Sequence, residues 1–293
     1  GRMPVEIMVD SKKEKGYFGH DVLVHPEHRK GLGLYLYNRL LAMQEDITDT
    51  FTIHMWMNEI THMVLARRGY HELKGNTFVK FLNPRPAFRK RLKNKFLIQL
   101  LTHLVIISNN LFDFLFQNNY RNISLSQIKR FDKRFDSFVD EISKKFGLIT
   151  MRHHVRLNWA YVNKPGSDFI FYIIEREKKL AGYIVLRIQN DNGNKEGIIV
   201  DLLTDPDDPS CIDCLCQIAI NYFKKMEVNA IYCFLTNKRF IKIFKKHLFI
   251  KAPSNSSIMI GNLHKHPNLR RLLNIDNWFL TYGDSDRFAW ILS

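Results

Sequence analysis

The chain has 293 residues, 45% of them hydrophobic and 13% aromatic, which is ample material for a packed core and excludes a disordered chain. Lys and Arg outnumber Asp and Glu by 44 to 29, a net charge of +15, so anionic partners are favoured. The cations are scattered along the chain, so no nucleic-acid partner is expected.

Residues 3–9 and 16–24 read as strands about a polar turn, DSKKEK. No secretory signal is read ahead of them, and a cytoplasmic location is expected. A proline break at Pro26, a basic glycine loop over His28–Gly33 and an amphipathic helix over 34–46 follow. FTIHMWM (51–57) is a strand. Asn58 opens a short helix ending at Gly69, and 70–82 reads as a hairpin or two short strands about Lys74-Gly75-Asn76. Pro84 and Pro86 close this unit.

A long apolar helix from Ala87 to about Phe116 comes next, and its longest uncharged run, Phe96–Phe112, is slightly short for a membrane span. It reads either as a buried link between two halves or as an interfacial helix. In the second case Arg85, Arg89, Lys90, Arg91, Lys93 and Lys95 face acidic headgroups, giving peripheral membrane contact through 85–116. A second helix from Ser124 or Ser126 to Phe146 lines up Phe131, Phe135, Phe138, Val139 and Ile142. Strands at 149–154, 169–175, 178–190 and 197–203, a helix at 211–225, a strand at 230–235, a helix at 238–247 and a strand at 257–261 complete an α+β chain. The tail, 264–293, is irregular. Cys211-x-x-Cys214-x-Cys216 lacks the second ligand pair of a zinc site and reads as a helix face, so no metal is expected; with Cys233, these cysteines suit a reducing compartment.

The order strand, loop, helix, strand, short helix, strand occurs twice, at 16–82 and at 197–261. The halves differ in the loop. Gly31 and Gly33 let a ligand approach the backbone and permit positive φ, and the helix entrance behind them, with His28, Arg29 and Lys30, attracts an anion. The second loop, TDPDDPS, has no glycine and carries Asp205, Asp207 and Asp208, which would repel a pyrophosphate.

The segment Val24-His25-Pro26 followed by His28-Arg29-Lys30-Gly31-Leu32-Gly33 resembles the acetyl-CoA motif of GNAT N-acetyltransferases, with His28 where Arg or Gln is usual. RHHVRLNW (152–159), Gly182-Tyr183, Val200–Leu203 and Trp278…Gly283-Asp284-Ser285-Asp286 resemble tandem GNAT-like proteins associated with cell-envelope polysaccharide. The resemblance implies tandem GNAT-like mixed β-sheets flanked by helices. A partial domain at 3–84 carries the acetyl-CoA loop, a helical linker region spans 85–147, and a second domain without the loop spans 148–293. The first half is N-terminally short, about 15 residues preceding its motif strand.

The implied activity is acyl transfer from acetyl-CoA, as co-substrate, to an amine acceptor, an amino sugar of a glycan being the finer expectation. The implied cofactor contacts are Leu23, Val24, His28, Arg29, Lys30, Gly31, Leu32, Gly33, Leu34 and Asn58. His20, Asp21 and His54 are the candidate catalytic groups, since the attacking amine must lose a proton. Strand alternation puts His20 and Asp21 on opposite faces. The tyrosine general acid of many family members falls at Leu65, with Tyr70 nearby. Arg152, Trp159, Trp278, Asp284 and Asp286 are candidate substrate contacts. The alternatives are a weak GNAT-like module that binds CoA or a glycan without turnover, and a basic binder of nucleic acid or membrane.

Overall fold

The computed structural model describes residues 2–19, 25–28, 32–47, 51–115, 120, 122–164, 168–191, 193–253, 256–261 and 268–285. Alternation in β1 (Arg2–Val9) buries Val5, Ile7 and Val9. A turn at Asp10-Ser11, with φ of 48° and 67°, returns the chain into β2 (Lys12–Gly19). Two consecutive positive φ values are the I′ geometry whose twist suits a two-residue hairpin. Most of the expected polar turn is therefore strand.

After α1 (Leu32–Ile47) and β3 (Thr52–Met55) comes α2 (Glu59–Arg67). The Asn58 side chain accepts the Thr61 N–H at 2.8 Å at its start, and Gly69 takes φ 79° just past its end, as its sequence position predicts. The segment read as a hairpin is one strand, β4 (His71–Phe81). Gly75 is no turn: the Phe234 ring fills the place of its missing side chain, and a Cβ would lie 2.3 Å from that ring. The long helix is two, α3 (Arg85–Arg89) and α4 (Lys95–Leu115).

Residues 123–128 form a strand, β5 (Ile123–Ile128), where a helix start was expected; they alternate and pair antiparallel with β7. The helix itself is α5 (Arg134–Ile142), which buries Phe135, Phe138, Val139 and Ile142. Then follow β6 (Leu148–Thr150), α6 (His154–Leu157) continued by a π-helical turn at Asn158–Val162, β7 (Phe169–Arg176), β8 (Lys179–Asp191) and β9 (Asn194–Thr204). The chain goes on through α7 (Pro209–Lys225), β10 (Ala230–Leu235), α8 (Lys238–Lys246), β11 (Ile250–Lys251), β12 (Ser256–Gly261), α9 (Leu269–Leu272) and β13 (Trp278–Phe279).

The strands join in the order β13-β6-β1-β2-β3-β12-β4-β10-β9-β8-β7-β5, with β11 on β4. Each repeat contributes one parallel pair, β2 with β3 and β9 with β10. Each of these pairs is extended antiparallel by the last strand of the other repeat. β12 lies against β3 and β4 against β10, and β4 and β12 pair with each other over Gly75↔Ser256 to His71↔Ile260. The repeats are thus interlocked by strand exchange, and one hydrophobic cluster runs from Val5 and Phe18 through Ile199 and Leu215 to Trp278. A smaller cluster, Tyr37, Leu41, Val64, Leu65, Tyr70 and Met259, seats α1 and α2 on the opposite face of the β3–β12 region.

Candidate active site

Parallel neighbours that part company leave backbone groups and a wedge of space between them. Among the described residues the second repeat has such a place. The β9–β10 pair holds from Ala230↔Glu196 to Cys233↔Ile199, after which β9 continues to Thr204 without β10, still paired with β8 on its other side. The chain's own C-terminal turn, Tyr282–Asp284, fills this wedge. Gly283 enters so closely that a Cβ there would lie 2.1 Å from the Tyr161 hydroxyl oxygen and 3.0 Å from the Asp201 Cβ.

A buried polar network locks the plug. Arg152 donates from Nε to the Asp201 carboxylate at 3.2 and 3.3 Å, from Nη2 to Asp284 Oδ2 at 2.6 Å and from Nη1 to the Thr150 carbonyl at 2.9 Å. Asp201 also accepts from the Thr281 hydroxyl at 2.8 Å and the Tyr183 hydroxyl at 2.9 Å. Asp284 accepts from the Thr150 hydroxyl and, at 2.9 Å, from the Thr281 N–H. Arg152, Asp201 and Asp284 are at most 2% exposed. Burial alone would lower the guanidinium pKa, but the two carboxylates beside it outweigh burial and hold it raised. Burial likewise pushes the Tyr161 and Tyr183 hydroxyls well above their usual value.

The helix entrance beside this wedge is also closed. Asp208 caps α7, its Oδ1 accepting the N–H groups of Ser210 and Cys211 at 3.0 and 3.2 Å, while Arg176 holds its Oδ2 at 2.5 Å. Partial burial raises the Asp208 pKa, yet the bonds from Ser210 and Cys211 and the Arg176 charge keep it lowered. A carboxylate of the chain thus occupies the position where a helix N-terminus would take a phosphate. Cys211, Cys214 and Cys216 lie on α7 and Cys233 on β10, all buried. Burial pushes the Cys211 and Cys214 thiols up to about 12.

The corresponding pair of the first repeat has a different setting. β2 and β3 are paired over Tyr17↔Thr52, Phe18↔Ile53 and Gly19↔His54. His20, Asp21, Leu23, Val24, Arg29, Lys30 and Gly31 fall outside the described residues, as does Asp286. Of His28, Leu32 and Leu34 only the backbone is described: His28 ends a short 3₁₀ turn, and Leu32 and Leu34 lie in the first turn of α1. That turn holds no acidic residue. Gly33, buried within it, has helical backbone, so its contribution is a helix start without a Cβ and not the positive φ expected of it. Asn58 is exposed, with its side-chain oxygen engaged in capping α2.

His54 stands at the last described pair of β2 and β3 and is 8% exposed. Its ring lies over Gly19, where a Cβ would come within 2.0 Å of the imidazole Cε1. The ring also meets Tyr70 edge-on, with centroids 5.6 Å apart. Tyr70 in turn lies over Gly261 of β12, where a Cβ would be 2.2 Å from the tyrosine ring. Two side-chain-free positions therefore make the room in which this histidine and this tyrosine meet. Tyr70 was legible as a neighbour of the motif, and its position directly after the capping glycine was the signal for it; its partnership with Gly19 and Gly261 was not legible.

The start of β1 flanks the same end of the sheet, since Met3 pairs with Phe18 and Arg2 with Gly19. A cavity of about 480 Å³ opens there, walled by Met3, Glu6, Met151, His153, Arg156 and Trp159. Trp159 is 59% exposed on the π-helical turn, a distortion that often marks functional segments. Arg152, Trp278 and Asp284 are placed otherwise than a pocket requires. All three are core residues, Trp278 being fully buried with its indole N–H on the Leu272 carbonyl at 2.9 Å. Of the described substrate-contact candidates, Trp159 alone lines an open cavity.

No family model matches the sequence, and no curated protein does. Solved structures do match. A GCN5-related N-acetyltransferase from Anabaena variabilis superposes with a TM-score of 0.58 at 11% identity, covering 89% of this chain and 58% of that one. Saccharomyces cerevisiae N-myristoyltransferase with bound myristoyl-CoA gives 0.57 at 12% identity, covering 89% and 66%. A probable N-acyltransferase from Enterococcus faecalis gives 0.54 at 11% identity, covering 88% and 57%. The chain thus spans less than two thirds of the length of each. Identity this low speaks for architecture alone, and the architecture is clear: the chain has a GNAT-like fold, a large mixed sheet flanked by helices.

Proposed function

We propose that the protein is an acyl-CoA-dependent N-acyltransferase that works through its first repeat alone. The observation that carries this reading is the asymmetry of the two helix entrances. In the second repeat the strand gap is filled by the chain's own turn and the helix behind it is capped by Asp208. In the first repeat α1 starts with a buried glycine and no acid in its first turn. Those features fit the phosphates of a CoA thioester at α1, with Gly33 and the basic residues Arg29 and Lys30 as their binding groups. Bound there, the thioester supplies an activated acyl carbon.

The chain's own residues manage the protons. An amine attacks only without its extra proton, and the His54 imidazole, at the last described β2–β3 pair, is the group assigned to take it. As the new C–N bond forms and the C–S bond breaks, the departing sulfur needs a proton, which the Tyr70 hydroxyl supplies. His54 faces the α1–α2 side, whereas Met3 and Val5 pack on the other face of the sheet. The finer reading is acetyl transfer to a sugar amine in the cytoplasm, with Trp159 as an aromatic platform and Glu6 and His153 as polar groups of the cavity.

The test is calorimetry with acetyl-CoA and longer acyl-CoAs, followed by thiol release with a panel of amines. Gly33→Glu should abolish CoA binding, while Asp208→Ala should leave it intact. His54→Gln should lower kcat by about 10²–10⁴-fold with binding preserved. Binding without turnover of any thioester would identify a CoA-binding module, and absence of binding by the folded wild type would end the proposal.

A further inference from the structure

α4 presents a stripe of large apolar residues to solvent. At 100° per residue, Phe96, Leu97, Leu100, Leu104, Ile107 and Leu111 fall within an arc of about 100°. They are 39–76% exposed. The buried residues, Ile98, Thr102 and Asn109, sit on the opposite side. Asn109 fixes the helix to the body: it accepts from the fully buried Lys80 ammonium at 2.9 Å and donates to the Phe81 carbonyl at 2.7 Å. Lys80 also reaches the His247 carbonyl at 2.9 Å. The window Lys95–Phe112 is long and apolar enough to cross a bilayer, against the expectation from its uncharged run, and only 17% of it is buried. The Asn109–Lys80 anchor nevertheless holds it along the protein surface.

Charge decides what covers this stripe. Arg85, Arg89, Lys90, Arg91, Lys93 and Lys95 are all exposed and precede the stripe, and residues 83–112 contain no acidic side chain. Cations at the N-terminal end of a helix oppose its dipole, so they do not serve to stabilise α4. An exposed apolar stripe and a misplaced cation cluster are each unfavourable in water. Both become favourable at the interface of an anionic bilayer, where acyl chains meet the stripe and headgroup phosphates the cations.

We propose that α3 and α4 dock this protein on a membrane rich in acidic phospholipid, with α4 lying in the interfacial plane. This proposal does not rest on the catalytic reading. The test is cosedimentation of the full chain with vesicles of phosphatidylcholine alone or with about a third phosphatidylglycerol. The wild type should bind the anionic vesicles and not the neutral ones, and should be released by 0.5 M salt, a condition set by screening. Replacing Arg89, Lys90 and Arg91 with Gln together should weaken partition on the order of a hundred-fold, from roughly a factor of five per cation. L100E, L104E and I107E together should abolish it. These side chains are solvent-exposed, so unchanged circular dichroism will confirm folding. Binding to neither vesicle, or binding that survives both sets of replacements, would overturn the proposal. So would a wild-type dimer in sedimentation that the glutamate replacements dissolve, since the stripe would then be a protein–protein face.

Discussion

Replacing Asp284 separates a plug from a pocket. Four charges meet in the strand gap of the second repeat: Arg152 touches Asp201 and Asp284, and Arg156 reaches Asp284 from 3.8 Å. In Asp284→Asn, Arg152 keeps both Nε bonds to Asp201, and the released Arg156, 20% exposed, can turn toward water. In Arg152→Met, two carboxylates remain in the core with a single cation at the edge of contact. Breaking a buried pair costs about 3–5 kcal/mol, so Asp284→Asn belongs near about 3 and Arg152→Met near about 5. At roughly 2.1 cal/mol/K per residue, the unfolding entropy of this chain is about 0.6 kcal/mol/K, so the midpoint should fall by about 5 °C and about 8 °C respectively. Thermal unfolding by circular dichroism, with urea titration as a second measure, reads both. A Trp159→Ala control should move the midpoint little and raise the KM for the acceptor. If Asp284→Asn unfolds within 1 °C of wild type while acceptor KM rises, the network is a binding site and the reasoning is wrong.

Three further outcomes test other parts of the structure. Gly19→Ala places a methyl 2.0 Å from the His54 ring atom and should cut turnover about 100-fold by displacing the imidazole, with CoA affinity by calorimetry retained. Gly75→Ala drives a Cβ against Phe234 at the crossing of β4 and should cost about 1–3 kcal/mol in urea unfolding. Asp208→Ala removes the α7 cap and should cost about 1 kcal/mol at pH 7. The folded pKa of Asp208 is lowered, so its contribution is present above the unfolded value near about 3.9 and is lost as pH falls through the folded value. Unfolding curves of wild type and variant should therefore converge as the pH falls through the folded value.

What the sequence disclosed was local. Asn58 and Gly69 bound α2 because capping is decided within a few residues, and the duplicated order of elements came through because apolar periodicity survives low identity. Residues 123–128 misled because Ser124 and Ser126 are good helix caps, while the pairing with β7 that makes them strand lies about 50 residues away. The polar residues 152 and 284 read as a substrate surface for the same reason. Arg152 and Asp284 are 132 positions apart, and nothing in either neighbourhood shows that each is neutralised by the other. Strand exchange was invisible for a related cause: β4 and β12 have the same pattern whether they stay home or cross over.

That exchange gives a second repeat with a sealed cleft a structural part in the first. β4 carries contacts to β12 at residues 71–75 and to β10 at 76–81, so the sheet of either repeat is unfinished without the other. Gly261 of β12 makes the space for Tyr70, and Tyr70 packs on His54, which places a second-repeat glycine behind the proposed acid–base pair. Met151, His153 and Trp159, also from beyond the linker, wall the cavity beside the start of β1. Sealing the second cleft with Arg152, Asp201 and Asp284 makes that scaffold rigid, because a buried network with every charge matched tolerates little displacement. Asp208 and Arg176 close the helix entrance of the second repeat in the same way, with a carboxylate and a cation of the chain itself.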